Sequence, residues 1–111
     1  NMISSMKTAL KNFIASGGGY VGFCAGGFFA SLPHDGYKYL GIIAADSDLA
    51  KIRPNTSQQW VTWKDGTKRS VYFEGGPYFI VPQNSNLTIT SRYQDGRVAG
   101  VEGAFGKGRV S

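Results

Sequence analysis

Gly22-Phe23-Cys24-Ala25-Gly26 (GFCAG) is the stretch on which the fold of this chain turns. An apolar run, Tyr20 to Phe23, leads into it and reads as a short buried strand. Ala25 to Leu32 follows and reads as a helix ended by Pro33. G-x-C-x-G between a strand and a helix is the thiol form of the nucleophile elbow. Flanking glycines let the chain turn where side chains would collide. The turn lifts the Cys24 thiol clear of the sheet and sets it at a helix N-terminus, which favours a thiolate. The Ala25 N–H then points to where an oxyanion would develop. Cys24 is thus the candidate nucleophile, Ala25 the candidate oxyanion donor, and Gly22 and Gly26 the residues that permit the turn. The pentapeptide by itself favours a small structural cysteine that packs a helix on a sheet; the strand and helix on the correct sides turn the reading to the elbow.

Upstream, Met6, Ala9, Leu10, Phe13 and Ile14 recur at the spacing of one apolar helix face, predicting a helix capped by Ser4 or Ser5 and stopped at Gly17. Downstream, Tyr39 to Ala45 (YLGIIAA) is an apolar run of strand length, suited to burial on both faces. From Gln59 onward the texture becomes β. Trp60 to Trp63 and Ser70 to Phe73 flank an Asp65-Gly66 hairpin signal; Tyr78 to Val81 is a further short strand. Leu87 to Tyr93 alternates with period two, Asp95-Gly96 turns it into Val98 to Glu102, and Arg109-Val110 opens a last strand. Gly17, Gly19 and Gly22 satisfy G-x-G-x-x-G but follow a helix and open a strand, the reverse of a dinucleotide site. The two N-x-S/T sequons, at Asn55 and Asn86, are chance matches in a chain without a secretory signal.

The 111 residues make one domain, with no linker or internal repeat. Sixteen glycines, about twice the usual ~7%, point to tight turns and close backbone approaches. No apolar run nears the roughly 20 residues of a membrane span, and no leader is visible, so a cytoplasmic protein without a membrane partner is expected. One cysteine and one histidine exclude a disulfide framework and a zinc-ligand set, and no metal or cofactor is expected. Twelve Lys and Arg against seven Asp and Glu give a net charge of +5. These cations are spread from Lys7 to Arg109 without a basic stripe or a nucleic-acid motif. A solvated basic surface, rather than a nucleic-acid partner, is the expectation.

Gly17-Gly18-Gly19-Tyr20-Val21-Gly22-Phe23-Cys24-Ala25-Gly26-Gly27-Phe28-Phe29-Ala30-Ser31 closely resembles the elbow of the biotin-protein ligase N-terminal-like family, within the class I glutamine amidotransferase-like superfamily. Two later stretches are softer matches. Tyr72-Phe73-Glu74-Gly75-Gly76-Pro77-Tyr78-Phe79 looks like the family's aromatic-x-Gly-Gly-x-x-Phe segment, and Gly106 to Val110 like the strand that leads to the superfamily's His-x-Glu. The resemblance implies a three-layer α/β fold of flavodoxin-like type, with a largely parallel central sheet and a β-rich second half. It implies that the parent domain transfers or hydrolyses the nitrogen of a small-molecule amide through a Cys24 thioester. Gly75 and Gly76, with Glu74 beside them, would then run near the elbow as weak candidate binding residues.

The chain also departs from the superfamily. The upstream Gly-Gly loop, which supplies a second oxyanion donor, and the His-x-Glu that activates the cysteine fall before and after the residues given. Residues 1–111 therefore read as a single partial domain, cut at both ends and catalytically incompetent in isolation. The histidine, His34 in Leu32-Pro33-His34-Asp35-Gly36, reads as a surface loop residue beyond the second helix. Trp60, Trp63, Tyr72, Phe73, Tyr78 and Phe79 read as core by alternation, with a stacking platform the lesser reading. Two alternatives stay open: a non-catalytic binding or regulatory module that keeps the elbow, and a DJ-1/PfpI-like cysteine hydrolase. Missing strands would leave an open sheet edge, predicting association with a complementary segment of the same parent protein or a homodimer.

Overall fold

The computed structural model describes residues 4–34, 36–53 and 55–111. Asp35, in the loop that carries His34, lies outside the described residues. The helix predicted by apolar spacing forms as α1, Ser4–Ala15. Its face is only half covered. Ile14 is fully buried and Leu10 packs on the core, whereas Met6 and Phe13 stay exposed. The helix ends where Gly17, at φ 124°, donates its N–H to the Ile14 carbonyl. The chain continues as β1 (Gly19–Tyr20), turns at Cys24, and enters α2 (Ala25–Ala30). Then come β2 (Asp46–Leu49), β3 (Gln58–Trp63), β4 (Lys68–Tyr72), β5 (Pro77–Ile80), β6 (Thr88–Tyr93), β7 (Val98–Phe105) and β8 (Gly108–Val110).

These strands form an eight-stranded sheet in the order β1-β8-β7-β6-β3-β4, with β5 joining β7 and β2 joining β5. Among the described residues only β1 and β8 run parallel, Gly19 opposite Arg109 and Tyr20 opposite Val110. Every other pairing is antiparallel. The expected three-layer, largely parallel flavodoxin-like fold is therefore wrong: this is a mixed, mostly antiparallel, curled sheet. The reason is local. Parallel neighbours need a crossover of a dozen or more residues, whereas a tight turn returns the chain antiparallel. Turns with glycine at positive φ join β3 to β4 (Gly66), β6 to β7 (Gly96) and β7 to β8 (Gly106). In the first two an aspartate fixes the turn, Asp65 Oδ1 accepting from Thr67 N–H and Asp95 Oδ1 from Arg97 N–H.

Tyr39 to Ala45 is not a strand. Leu40 donates its N–H to Phe29 O, Gly41 to Ser31 O, and Ile42 and Ile43 to Ala30 O, at 2.7–3.0 Å. The run thus satisfies the carbonyls at the end of α2 instead of joining the sheet, and Gly41, at φ 68°, breaks its extension. Leu40, Ile42, Ile43 and Ala45 are buried all the same. They share the main core with Ile14, Phe79, Val101 and Val110. A smaller core holds Ile52, Val61 and Tyr93, with Phe73 edge-on to the Tyr93 ring. The core reading of the aromatics holds for Phe79 but not for Trp60, Trp63 and Tyr72, which lie on exposed sheet surface. Among the described residues no helix is long and apolar enough to cross a membrane.

Candidate functional site at the Cys24 turn

Cys24 stands at φ 54°, ψ −110°, the one non-glycine residue at positive φ among those described. An L-residue holds such a conformation at a cost of about 1–3 kcal/mol, and only where its surroundings over-determine it. Those surroundings are visible on both sides. Behind the turn, Gly22 N–H donates to Ser111 O and Ser111 N–H to Tyr20 O, both at 2.9 Å, so parallel pairing runs past β1 to Gly22. Ahead of it, Gly26 N–H donates to Phe23 O at 2.9 Å and Phe28 N–H to Cys24 O at 3.1 Å, starting α2. Across the turn, the Tyr20 hydroxyl donates to Gly26 O at 2.7 Å, and burial pushes the pKa of this tyrosine up.

The two glycines of the motif differ in what they do. A Cβ at Gly22 would lie 2.5 Å from Gly26 O, so this position admits glycine alone. A Cβ at Gly26 would meet nothing nearer than the Tyr20 hydroxyl at 3.5 Å, an ordinary contact. The residue that sequence reasoning missed is Gly27. It is buried, and a Cβ there would sit 3.3 Å from Pro77 Cγ and 3.5 Å from Phe79 Cζ. Gly27 is what lets α2 press on β5. The Gly26-Gly27 pair was its available signal.

Gly75 and Gly76 lead directly into β5. Gly75 adopts φ 72°, and Gly76 is buried, its carbonyl accepting from Ala50 N–H at 2.9 Å. The strand they start is the one that touches Gly27. Glu74 is exposed, and its carboxylate accepts from the Tyr72 hydroxyl at 2.9 Å, which raises the Tyr72 pKa. Tyr93 reaches the same strand, its buried hydroxyl donating to Pro77 O at 2.5 Å. Burial, assisted by the charges of Cys24 and Asp95 and opposed by Arg97, pushes the Tyr93 pKa up to about 12.

The Cys24 thiol is exposed. Among the described residues no ion pair or side-chain hydrogen bond engages it. His34 lies past the far end of α2, edge-on to the rings of Tyr37 and Tyr39, which stack on each other at 5.4 Å. Among the described residues no three His, Cys, Asp or Glu side chains come together as a metal site would require. The turn therefore leaves the thiol open to solvent, with no acid or base bonded to the sulfur among the described residues.

Residues 1–33, through α1, the Cys24 turn and α2, match the family model described as "Biotin-protein ligase, N terminal". No curated protein and no solved structure matches the chain. Over its first 33 residues, then, this chain is similar to the N-terminal region of biotin-protein ligases.

Proposed function

We propose that Cys24 is the nucleophile of a glutamine amidotransferase-like elbow within this biotin-protein ligase N-terminal-like region. The observation that carries the reading is the strained Cys24 backbone, between a strand and a helix and braced by the Gly22 to Gly26 contact. In the reaction the sulfur attacks the carbonyl carbon of a small-molecule amide. A carbon–sulfur bond forms, the carbon–nitrogen bond breaks, and the thiol proton leaves with the departing nitrogen. Water or an acceptor amine then cleaves the thioester. The Ala25 N–H donates to the developing oxyanion. Cysteine chemistry of this kind needs a positioned base. The unengaged thiol favours an isolated chain that reacts once with an electrophile but does not turn over.

The same unengaged thiol also supports a second reading, a binding or regulatory module that retains the turn as architecture. Iodoacetamide labelling separates the two. Native Cys24 alkylating faster than the same chain in denaturant supports the nucleophile; a native rate equal to or below the denatured rate supports architecture. Glutamine hydrolysis by this chain, abolished in Cys24→Ala, would overturn the absence of turnover.

A further inference from the structure

We propose that the curled sheet holds a second site, a pocket for a neutral small molecule with an apolar body and one hydrogen-bonding head, built where β6 and β7 fall out of register. The pairing runs Ile89 with Val101, then Ser91 with Gly100, then Arg92 with Val98. Thr90 on one strand and Ala99 on the other are thus supernumerary. In a regular strand Thr90 and Ser91 would face opposite sides of the sheet. Here both hydroxyls come to Gly100: a Cβ on that glycine would stand 2.6 Å from Thr90 Oγ1 and 2.7 Å from Ser91 Oγ. Bulges of this kind re-aim side chains, and they gather next to binding sites. On its other edge β6 stays in register with β3, Trp63 opposite Ser91 and Lys64 N–H donating to Thr90 O at 2.8 Å. The irregularity is therefore confined to the β6–β7 side.

All four residues, Thr90, Ser91, Ala99 and Gly100, line one cavity of about 300 Å³. That volume lies at the small end of ligand pockets, roughly 300–1,000 Å³, and suits a single ring with a short substituent. The rest of its wall is mainly apolar, including Phe79, Val101 and Trp63, and among the described residues no charged side chain lines it. A charged ligand would lose its hydration there without a partner, so the ligand is neutral. Ser91 is buried, and among the described residues neither hydroxyl is engaged by a hydrogen bond. The two hydroxyls supply the polar contact that fixes a ligand's orientation. Gly22 and Phe23 contribute to the wall but Cys24 does not, so the pocket does not depend on the chemistry proposed for the thiol.

The test is a titration followed through the amide resonances of the whole chain, with 4-ethylphenol, ethylbenzene and 4-ethylbenzoate as probes. 4-Ethylphenol should give saturable shifts centred on Thr90, Ser91, Ala99 and Gly100. Ethylbenzene should bind at least threefold more weakly and the carboxylate at least tenfold more weakly. Ser91→Ala should narrow the gap between the first two, Ala99→Leu should weaken both about tenfold by filling the cavity, and Cys24→Ala should change neither. Shifts that do not saturate at millimolar probe, that scatter over exposed surface, or that are as strong with the carboxylate would overturn the pocket. Should Ala99→Leu fail to fold, the three probes on the unsubstituted chain decide alone.

Discussion

At Cys24 the backbone is held where glycine would be at ease, and that has a measurable price in stability. Replacing Cys24 by glycine removes the clash of Cβ with the backbone and should stabilise the chain by about 1 kcal/mol. Cys24→Ala keeps the Cβ and should stay within about 0.5 kcal/mol of the parent, because the side chain is exposed. Urea unfolding of both variants checks this, and a glycine variant less stable than the alanine one would mean the turn stores no strain. Tyr93 offers a second handle. Its folded-state pKa of about 12 lies above the ordinary value of 10.0. The neutral phenol is thus favoured by folding, and its contribution is intact below pH 10 and lost as pH rises towards 12. Melting temperature should fall across that window and fall less in Tyr93→Phe, which has no proton to lose. The tight turn at Cys24 and the glycine it needs at Gly22 were legible from the spacing of the glycines around the cysteine. Gly26, equally prominent in the motif, has room for a Cβ, and Gly27 matters through β5, a partner that spacing along the chain cannot reveal.

Elements were legible where their signal is local. The α1 helix, the Asp65-Gly66 and Asp95-Gly96 turns and the strand that ends at Tyr93 all form, because periodicity and turn chemistry act within a few residues, although the α1 face is only half covered and the strand's alternation breaks at Thr90 and Ser91. Tyr39 to Ala45 was misread for the complementary reason: its composition specifies burial, which it has, but not the partner of its backbone, which is α2 rather than a strand. The polar β2 gave no signal at all, since only Ser47 of its four residues is buried and it forms by pairing with β5. The direction of the sheet went wrong because the elbow's resemblance implied parallel neighbours while the turns downstream dictated antiparallel ones. Between α1 and β8 the decisive contact is again a glycine. A Cβ at Gly108 would stand 2.0 Å from Ile14 O and 2.4 Å from Gly18 O, where Lys107 and Arg109 also bond back to Ala15 and Gly18. Gly108→Ala should therefore cost about 3 kcal/mol. Gly96→Ala, at φ 89° with open space around it, should cost only about 1 kcal/mol of backbone strain. Equal losses in denaturant midpoints would mean that α1 can shift away from β8 freely.

For the molecule as a whole, the balance between edge, apolar surface and charge decides whether it stays single. β1 and β4 stand at the two ends of the strand order, each with a partner on one side only. Beyond β1, Val21 is 66% exposed and Phe23 82%, and α1 adds Phe13 at 61%. Removing such surface from water is worth roughly 25 cal/mol per Å², and an unpaired strand edge supplies the hydrogen bonds that give an association its direction. Against this stands a net charge of +5, which makes two copies repel. The repulsion acts between exposed groups and is screened within about 10 Å at 0.1 M salt, whereas apolar burial is not weakened by salt. Association is therefore expected to strengthen as salt is raised. Sedimentation of the purified chain at tens of micromolar should give a mass above 12.0 kDa, increasing between 0.05 and 0.5 M sodium chloride at about those concentrations. Phe23→Lys should shift it back towards the monomer by adding charge where apolar surface was. A parent chain that sediments at 12.0 kDa at every salt concentration, and unfolds cooperatively, would mean that neither the edge nor the exposed aromatics suffice to draw two copies together.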